Sequence, residues 1–494
     1  MPSYISFESN RATQRVPEFK GLNQYGDGIG VDPRFATEAV NALTTEGSLR
    51  PMGEHIMLPM SLPSPIETLA RLYRRWHAID EEREVLIAAS DGQLYWAFPD
   101  SIEWTLIGLP EGWIGSRYQL SSWSCVAYEI NPEGSDAPVD VLLLSNARDG
   151  MVMVRGDNLT AAIVQTPKKF GVIARYAERI WGTAIEDDPD MLVYSAPYDP
   201  FDWKQNDEIP EDGAGDIMQP SWDGDSFMAL IPFGSQLIAM KKTKVWRILG
   251  TNPGEYTFKE QFGGGTAYPN TVVADTARIL MLGNNGIMQY NGEAVAPYYQ
   301  EYANKTWRRM NRAALNASFA CKYKDTYYCA LPLDLSQDNN AVVLYNTIEH
   351  TWLIREGINV EAFLPTEDAL YYTSATTPGR IFRWEEESGV VMPMRWVGGW
   401  QDFGYKNMTK GSWNIYTTVE CEQEVTLQLT VQTEKKSRTK TITFFPPDEG
   451  RQAKQKRINF GGNGRRFRLI IESESTKPWR MIGGLQIEVE TDTD

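Results

Sequence analysis

A repeated pattern of two apolar segments joined by a short turn constrains this fold more than any other feature. It occurs at 85–96, 141–157, 236–249, 278–292, 341–354 and 369–384. Both segments are rich in Val, Ile, Leu, Tyr and Trp, and the turns usually contain residues that tolerate positive φ, which predicts β-hairpins. The starts are mostly about 30 to 60 residues apart, the spacing of one four-stranded blade. We therefore predict a mainly β protein with a β-propeller of six to eight irregular blades.

Helical periodicity is confined to two segments. Residues 65–79 place apolar side chains on one helical face, and residues 306–320 have a similar composition. The spacing in both segments predicts short amphipathic helices.

The C-terminal hundred residues differ from the rest in pattern. Residues 425–445 alternate apolar and polar side chains over two strands joined by a basic turn, and 465–473 and 481–490 supply two more strands. Such alternation predicts a small antiparallel β-sandwich. We place its boundary at Gly398–Gly399. The predicted domains are an extended arm or irregular first blade (1–65), the propeller (66–398) and a C-terminal docking module (399–494).

Charge is unevenly distributed along the chain. The formal net charge is −17, and residues 395–494 carry +3, which leaves −20 on residues 1–394. Such a surface disfavours extensive binding to nucleic-acid phosphates. The basic residues of the C-terminal module form a candidate docking patch for carboxylates, although a charged strand edge is an equally good interpretation. This patch comprises Lys435, Lys436, Arg438, Lys440, Arg465, Arg466 and Arg468.

The densest acidic segment is 199–225. A solvated loop between strands is the simplest interpretation, and a calcium loop is disfavoured because the alternating D-x-D-x-D-G spacing is absent. If the chain lines a channel for DNA, acidic loops such as this one would keep the duplex from adhering. The candidate residues are Asp207, Glu208, Glu211, Asp212, Asp216, Asp223 and Asp225.

The sequence contains no recognisable catalytic or cofactor motif. His55, His77 and His350 are far apart, and none has a second His or Cys at metal-ligand spacing. The glycine cluster in 261–270 lacks the ending of a phosphate-binding loop. Paired carboxylates for glycoside hydrolysis remain an open alternative. We predict no enzymatic activity, no cofactor and no metal.

The cysteine spacing, the N-terminal residues and the hydropathy indicate the cellular compartment of the protein. Cys125, Cys321, Cys329 and Cys421 are scattered, which favours reduced thiols, although Cys321 and Cys329 are spaced so that they could face each other across a hairpin. The first residues do not resemble a secretory leader, and no apolar run is long enough to span a membrane. We expect synthesis in a cytoplasm.

Five segments resemble a known family. Residues 178–203 contain a predicted strand with Arg-Ile-Trp-Gly, an acidic loop with Pro, and a second strand with Tyr-Ser that is followed by Asp-Pro-x-x-Trp. This sequence motif resembles one in virion proteins of tailed phages. Residues 282–298 are similar to a blade of the same proteins. Residues 465–490, 17–28 and 38–53 look like the closing and opening segments of the tail hub, or packaged-DNA stabilisation protein, of short-tailed phages.

The resemblance implies a ring-forming structural component of the virion tail. Members of this family surround the genome exit channel with several copies, so we expect a hexameric ring, or nozzle. Its expected neighbours are the portal–adaptor assembly on one side and the tail needle, spike or fibre proteins on the other. Genomic DNA would make transient, non-specific contacts with it.

Two alternatives come from other functional classes. A propeller at the tail tip that binds or hydrolyses glycans would need exposed aromatic and acidic side chains on one face, for which Trp203 and Trp222 are candidates. A host scaffold propeller that binds peptides is the third interpretation, and the resemblance argues against it.

Overall fold

The N-terminal region supplies strands to sheets that are completed much later in the chain. The structure, a computed structural model, describes residues 4–8, 11–26, 28–76, 81–109, 123–132, 138–220, 224–261, 263–448 and 451–491. The first strands are β1 Tyr4–Glu8, β2 Arg11–Val16, β3 Ala36–Val40, β4 Ala42–Leu43, β5 Arg50–Pro51 and β6 Ile56–Ser61. Strands β4 and β5 form a small hairpin of their own.

Seven antiparallel four-stranded blades follow, each built from consecutive strands except the last. Blade one comprises β7 Thr68–Trp76, β8 Glu81–Ser90, β9 Gln93–Ala97 and β10 Thr105–Leu106. Blade two comprises β11 Ser124–Ile130, β12 Val139–Asn146, β13 Gly150–Arg155 and β14 Ala161–Val164. Blade three comprises β15 Val172–Tyr176, β16 Arg179–Thr183, β17 Met191–Tyr194 and β18 Gly215–Met218. Blades four and five comprise β19 Phe227–Phe233, β20 Gln236–Lys241, β21 Val245–Leu249, β22 Thr257–Gln261; β23 Val273–Ala274, β24 Ile279–Gly283, β25 Gly286–Tyr290 and β26 Val295–Pro297. Blades six and seven contain β27 Phe319–Tyr323, β28 Thr326–Leu331, β29 Ala341–Asn346, β30 Thr351–Glu356; β31 Ala362–Pro365, β32 Leu370–Thr373 and β33 Arg380–Arg383.

The fourth strand of blade seven comes from the N-terminal region. Strand β6 pairs antiparallel with β33, with Met57 opposite Phe382 and Ile56 opposite Arg383. The first strand of blade seven, β31, also contacts β7 of blade one, so the circle is closed. The chain is therefore a closed seven-bladed β-propeller, which confirms the predicted fold class.

Seven apolar clusters lie between adjacent blades, one for each pair of neighbours. Blade two shows the principle: Val141 and Leu143 pack with side chains of blade three, and Leu142 and Leu144 pack with blade one. Because both faces of a blade are buried, its central strands are continuous apolar runs rather than alternating ones. All six predicted hairpins are confirmed as strand pairs within blades.

A β-sandwich adjoins blade six. Its later strands are β34 Met394–Gly398, β35 Lys410–Cys421, β36 Val425–Thr433, β37 Ser437–Phe444, β38 Lys456–Gly464, β39 Phe467–Ser473 and β40 Trp479–Thr491. One sheet has the order β1-β2-β40-β35-β38, and the other, β3-β34-β39-β36-β37, continues the sheet of blade six through β30. Ring contacts such as Trp413 against Phe467, with centroids 4.5 Å apart, join the two sheets.

The sheets divide the chain differently from the predicted domain boundaries. Residues 1–65, predicted as an extended arm or an irregular first blade, contribute β1, β2 and β3 to the sheets of the sandwich and β6 to blade seven. Strand β34, which was placed in the propeller, pairs with β3 and β39 of the sandwich. The propeller strands therefore run from β6 to β33, and both ends of the chain build the sandwich.

Both helix predictions differ from the structure. Residues 68–76 form β7, because Leu69 packs towards blade seven and Leu72 towards blade two, so both sides of this strand are buried. The predicted helix 306–320 is replaced by α1 Asn304–Arg309 and a 3₁₀ turn at Leu315–Ala317. Between them the chain becomes extended at Met310, which bridges to Leu333. The 3₁₀ helices are Thr45–Gly47, Pro210–Asp212, Pro253–Glu255, Pro269–Thr271, Gln300–Ala303 and Leu315–Ala317. None of the helices in the described ranges has the length and apolar character of a membrane span.

The four cysteines are free. Cys321 lies opposite Tyr328 and Cys329 opposite Ala320, so the two thiols point to opposite faces of blade six. Burial raises the pKa of the Cys125 and Cys329 thiols to about 12.

Candidate functional site

The acidic segment forms the connection between the third and fourth strands of blade three. Residues 195–214 leave β17 and return to β18 at the outer side of the blade. Asp207, Glu208, Glu211 and Asp212 are exposed, and Asp216 is exposed on β18. Most of the predicted acidic loop is therefore a solvent-facing surface.

The buried side chain of Arg179 anchors this connection by hydrogen bonds. Its side chain is 1% exposed, and its guanidinium donates hydrogen bonds to the carbonyl oxygens of Ser195 at 2.8 Å and Gly213 at 2.6 Å. A third bond reaches the carbonyl of Glu211. Two ends of the loop and its 3₁₀ turn are thus fixed by one buried cation, and the acidic side chains are left facing outward.

The neighbouring residues of β16 explain the Arg-Ile-Trp-Gly phrase. Trp181 is fully buried between blades three and four, with its ring 4.9 Å from that of Tyr194. A Cβ atom on Gly182 would lie 2.4 Å from the ring of Phe170, so only glycine fits there. The phrase is accounted for by packing and by anchoring the acidic loop.

The remaining acidic candidates do not join the exposed loop. Asp225 is 8% exposed, and its carboxylate accepts the backbone N–H groups of Lys242 at 2.9 Å and Thr243 at 2.7 Å, so it fixes the β20–β21 turn. Asp223 and Trp222 lie outside the described residues. Trp203 is half-buried against Phe170, with ring centroids 5.2 Å apart, and its indole N–H donates to Pro200.

The two faces of the propeller differ in charge. We call face A the face that carries the connections between first and second, and between third and fourth, strands; face B carries the other connections. Among the described residues the face A connections hold basic side chains only at Lys204, Arg278 and Lys324. The acidic ones there are Asp100, Glu103, Asp157, Glu178, Asp199, Asp202, Asp207, Glu208, Glu211, Asp212, Glu255, Asp275, Glu293, Asp325, Glu349, Glu367 and Asp368.

Face B is close to electrically balanced. Its described acidic side chains are Glu67, Asp91, Asp149, Glu186, Asp187, Asp188, Asp190, Asp225, Glu301, Asp334, Asp338 and Glu361. Its basic ones are Arg148, Lys168, Lys169, Lys242, Lys244, Lys305, Arg308, Arg309 and Arg312. The negative charge of the propeller is therefore concentrated on one face, an arrangement that only the blade topology reveals.

The predicted basic patch is divided between different surfaces. Arg438 and Lys440 lie on edge strand β37 opposite Val431 and Leu429, so they share the inner face of the sandwich. Arg468 is on the outer face, bonded to Gln432 at 2.8 Å and 4.9 Å from the ring of Trp400.

The basic turn between β36 and β37 is an exposed part of this patch. The backbone N–H of Lys436 donates to the Thr433 hydroxyl at 3.1 Å, and the N–H of Thr433 donates to the Lys436 carbonyl at 2.8 Å. Glu434 accepts the backbone N–H groups of Arg465 and Arg466, which fixes the base of the turn. Lys435 and Lys436 are exposed, with no ion pair among the described residues.

A cleft of about 520 Å³ opens on face A between blades six and seven. Tyr323, Tyr328, Tyr371 and Trp384 line it, together with the carboxylates of Asp325, Asp368, Glu385, Glu386 and Glu387 and the cations Lys324 and Arg383. Arg383 pairs with Glu385 at 2.6 Å, and Arg50 pairs with Glu387. The Tyr323 hydroxyl donates to the Asp368 carbonyl at 2.7 Å and so ties the two blades together.

The histidines have packing roles where the structure describes them. His55 lies 4.2 Å from the ring of Trp384, and its Nδ1 is 2.8 Å from the Tyr372 hydroxyl. Burial, with a smaller effect of Arg355, holds the pKa of His55 well below its usual value. His350 bonds to the Tyr345 hydroxyl at 2.7 Å, and His77 lies outside the described residues. No group of three or more metal-ligating side chains occurs in the described ranges.

Comparisons with known proteins find similarity of fold. No protein-family model and no curated protein matches the chain. The WD40 domain of Pan2 from Neurospora crassa is 9% identical, with a TM-score of 0.38 over 66% of this chain and 91% of that one. The CNH domain of AfRom2 is 7% identical, with a TM-score of 0.39 over 69% and 99%. BBS1N, solved in complex with ARL6DN, is 10% identical, with a TM-score of 0.32 over 78% and 97%.

Proposed function

We propose that this chain is a structural protein of a bacteriophage tail. Copies of it would close into a hexameric ring, the tail hub or nozzle, between the portal–adaptor assembly and the distal needle, spikes or fibres. The ring would retain packaged DNA and form its exit channel. The protein would be made in the host cytoplasm and incorporated into the virion. The segments that resemble tail hub proteins are the first support for this proposal.

The concentration of negative charge on face A is the observation that carries the proposal. A wall beside moving DNA must not bind it, because each phosphate contact releases counterions and strengthens binding at low salt. The described connections of face A hold 17 acidic and three basic side chains. Four of these carboxylates pair with cations on the strands, and the others outnumber the basic side chains of the connections; the four are Asp100, Asp157, Glu178 and Asp275. Such a surface repels the duplex weakly. Blade closure by β6, and the sandwich built from both chain ends, give the rigidity that a ring component needs.

Localisation in the virion tests this proposal. Antibody raised against the full chain and coupled to gold should label purified virions at the single vertex that carries the tail. Absence of the chain from purified virions would overturn the proposal. Labelling of the distal tip, together with release of sugar from host glycans by the purified chain, would favour the glycan-binding or glycan-hydrolysing alternative.

DNA binding tests the proposed charge of the channel. In an electrophoretic shift experiment at about 0.05 M salt, the full chain should bind duplex DNA only weakly. Submicromolar binding with a steep salt dependence, with a slope of about −0.9 for each phosphate contact, would identify a clamp rather than a smooth conduit.

A further inference from the structure

We propose that the basic β36–β37 turn of one copy inserts into the cleft between blades six and seven of a second copy. The inference rests on the proposed ring and specifies its subunit contact. Lys435 and Lys436 would provide the cations, and Asp325 and Asp368 the carboxylates that receive them.

The cleft is suited to a cationic side chain. Asp325 and Asp368 are exposed, and neither carboxylate has an ion-pair or side-chain hydrogen-bond partner among the described residues. Within the part of the chain that the structure describes, the Glu386 carboxylate accepts a hydrogen bond only from the Tyr328 hydroxyl, at 3.1 Å, through one of its oxygens. Aromatic rings between these acids can cover the methylene stem of a lysine and attract its ammonium. This differs from a solvated acidic loop, where no cavity or aromatic wall is present.

The turn is pre-organised for insertion. Thr433 and Glu434 bond the backbone of the turn and of the adjoining strand, while Lys435 and Lys436 project without partners among the described residues. Little conformational entropy of the backbone remains to be lost on binding, which favours association.

The two surfaces of one chain cannot meet each other. Strands β28, which borders the cleft, and β36, which leads to the turn, belong to the same nine-stranded sheet. Six strand spacings separate them, about 29 Å at the usual distance between neighbouring strands. Contact therefore requires a second copy. Because the two surfaces differ, the contact is heterologous, and repeating it closes a ring where the rotation allows.

Complementary variants of the full chain test this contact. Lys435→Glu with Lys436→Glu reverses the charge of the turn, and Asp325→Lys with Asp368→Lys reverses the charge of these two positions in the cleft. Each double variant should weaken self-association in sedimentation velocity at about 0.05 M salt by about tenfold or more, because like charges would face each other. Mixed together, the two variants should associate again into dimers and larger assemblies. The native turn of one variant meets the native cleft of the other, and the reversed turn and reversed cleft also carry opposite charges.

Matched controls separate this contact from the change in net charge. Lys305→Glu with Arg308→Glu changes the charge equally on exposed residues of face B. Asp207→Lys with Glu208→Lys does so on the acidic loop. Both controls should associate as the unmodified chain does, and circular dichroism should show every variant folded.

Three results would overturn the inference: an unmodified chain that stays monomeric at about 100 μM, a control that weakens association equally, or a mixture that forms no dimer. None of these affects the virion labelling, so failure of this contact is distinguishable from failure of the proposed function.

Discussion

Removing the Arg179 guanidinium should free the acidic loop of blade three. We choose Arg179→Met because it keeps most of the apolar stem and removes all the donors. The bonds to Ser195 and Gly213, at 2.8 and 2.6 Å, would be lost, and both residues are buried. An unsatisfied buried carbonyl costs about 1–3 kcal/mol. Part of that cost is offset because the folded state no longer buries a charge. We expect a net loss of about 3 kcal/mol.

The loss should be local, because the loop can open without unfolding the blade. The backbone N–H of Ala196 bonds to Asp202 at 2.8 Å, and that of Ala214 bonds to Lys204 at 2.9 Å, both within the loop. Hydrogen exchange of these two amides should accelerate by about 100-fold, the ratio that corresponds to about 3 kcal/mol. Amides of the central strands of blade two should keep their protection.

The matched control is Arg175→Met on the neighbouring strand. Arg175 is 44% exposed at its side chain and pairs with Glu178 at 2.6 Å on the surface. Exposed ion pairs contribute about 0.2–1 kcal/mol, so this variant should change exchange by a few-fold at most. If Arg179→Met accelerates exchange of Ala196 and Ala214 no more than Arg175→Met does, the guanidinium does not anchor the loop and the reasoning is refuted.

Three further predictions concern closure, pH and the sandwich. Met60→Asp, at a fully buried position of β6, should lower the free energy of unfolding in urea by about 3 kcal/mol or more. The control Met57→Asp, at a residue 51% exposed on the same strand, should change it little. Equal effects of the two substitutions would show that β6 does not close the circle. Burial, with Asp338 nearby, raises the pKa of Glu361 from its ordinary value of 4.5 to about 7. The folded state therefore holds an extra proton between these two pH values, and the free energy of unfolding should fall as pH rises through that window. The fall should be at most about 2 kcal/mol after discounting for solvent access, and Glu361→Gln should abolish it; a pH dependence unchanged by that substitution would contradict the assignment. Deleting 399–494 should give an insoluble chain, because β34 would lose its partner β39 and β2 would lose its partner β40. A soluble, cooperatively unfolding product would show the sandwich to be independent.

The sequence was informative where both faces of a strand are buried. Segments such as 141–157 are apolar on both sides because blades pack on each side, so the hairpins and the propeller could be predicted from local composition. The same burial misled the prediction at 65–79, where Leu69 and Leu72 lie on opposite faces of β7 but also fit a helical spacing.

Strands whose partners are distant in sequence could not be found in this way. Strand β6 has a mixed burial pattern and pairs with a strand more than three hundred residues later. Strands β3 and β34 are likewise joined only by long-range pairing. Local periodicity carries no information about such partners, which is why the predicted domain boundaries at 65 and 398 differ from the sheets.

From the sequence, the candidate surfaces could be predicted only from the types of residues that they contain. The exposed acids of the blade three loop were predicted, but Arg179 was not, because it binds backbone carbonyls that leave no mark in the sequence. The cleft is assembled from residues of blade six, blade seven and the segment that leaves blade seven. The basic patch was predicted as one surface, yet β-strand alternation places Arg438 and Arg468 on opposite faces.

The topology also orders the events of folding. Strand β6 is synthesised before every blade, yet its partner β33 is among the last propeller strands, so the circle cannot close until nearly the whole propeller has been made. Strand β2 must wait longer still, for β40, and β3 waits for β34. Long-range pairing of this kind slows folding and leaves apolar edges exposed meanwhile. Once formed, the pairs β6–β33, β2–β40 and β3–β34 each join the N-terminal region to a late part of the chain. Strand β6 is therefore connected to strands that are themselves fixed in the sandwich, which opposes opening of the propeller at β6. Such closure protects blade seven from opening at the edge, because β33 is paired with β6 on its outer side.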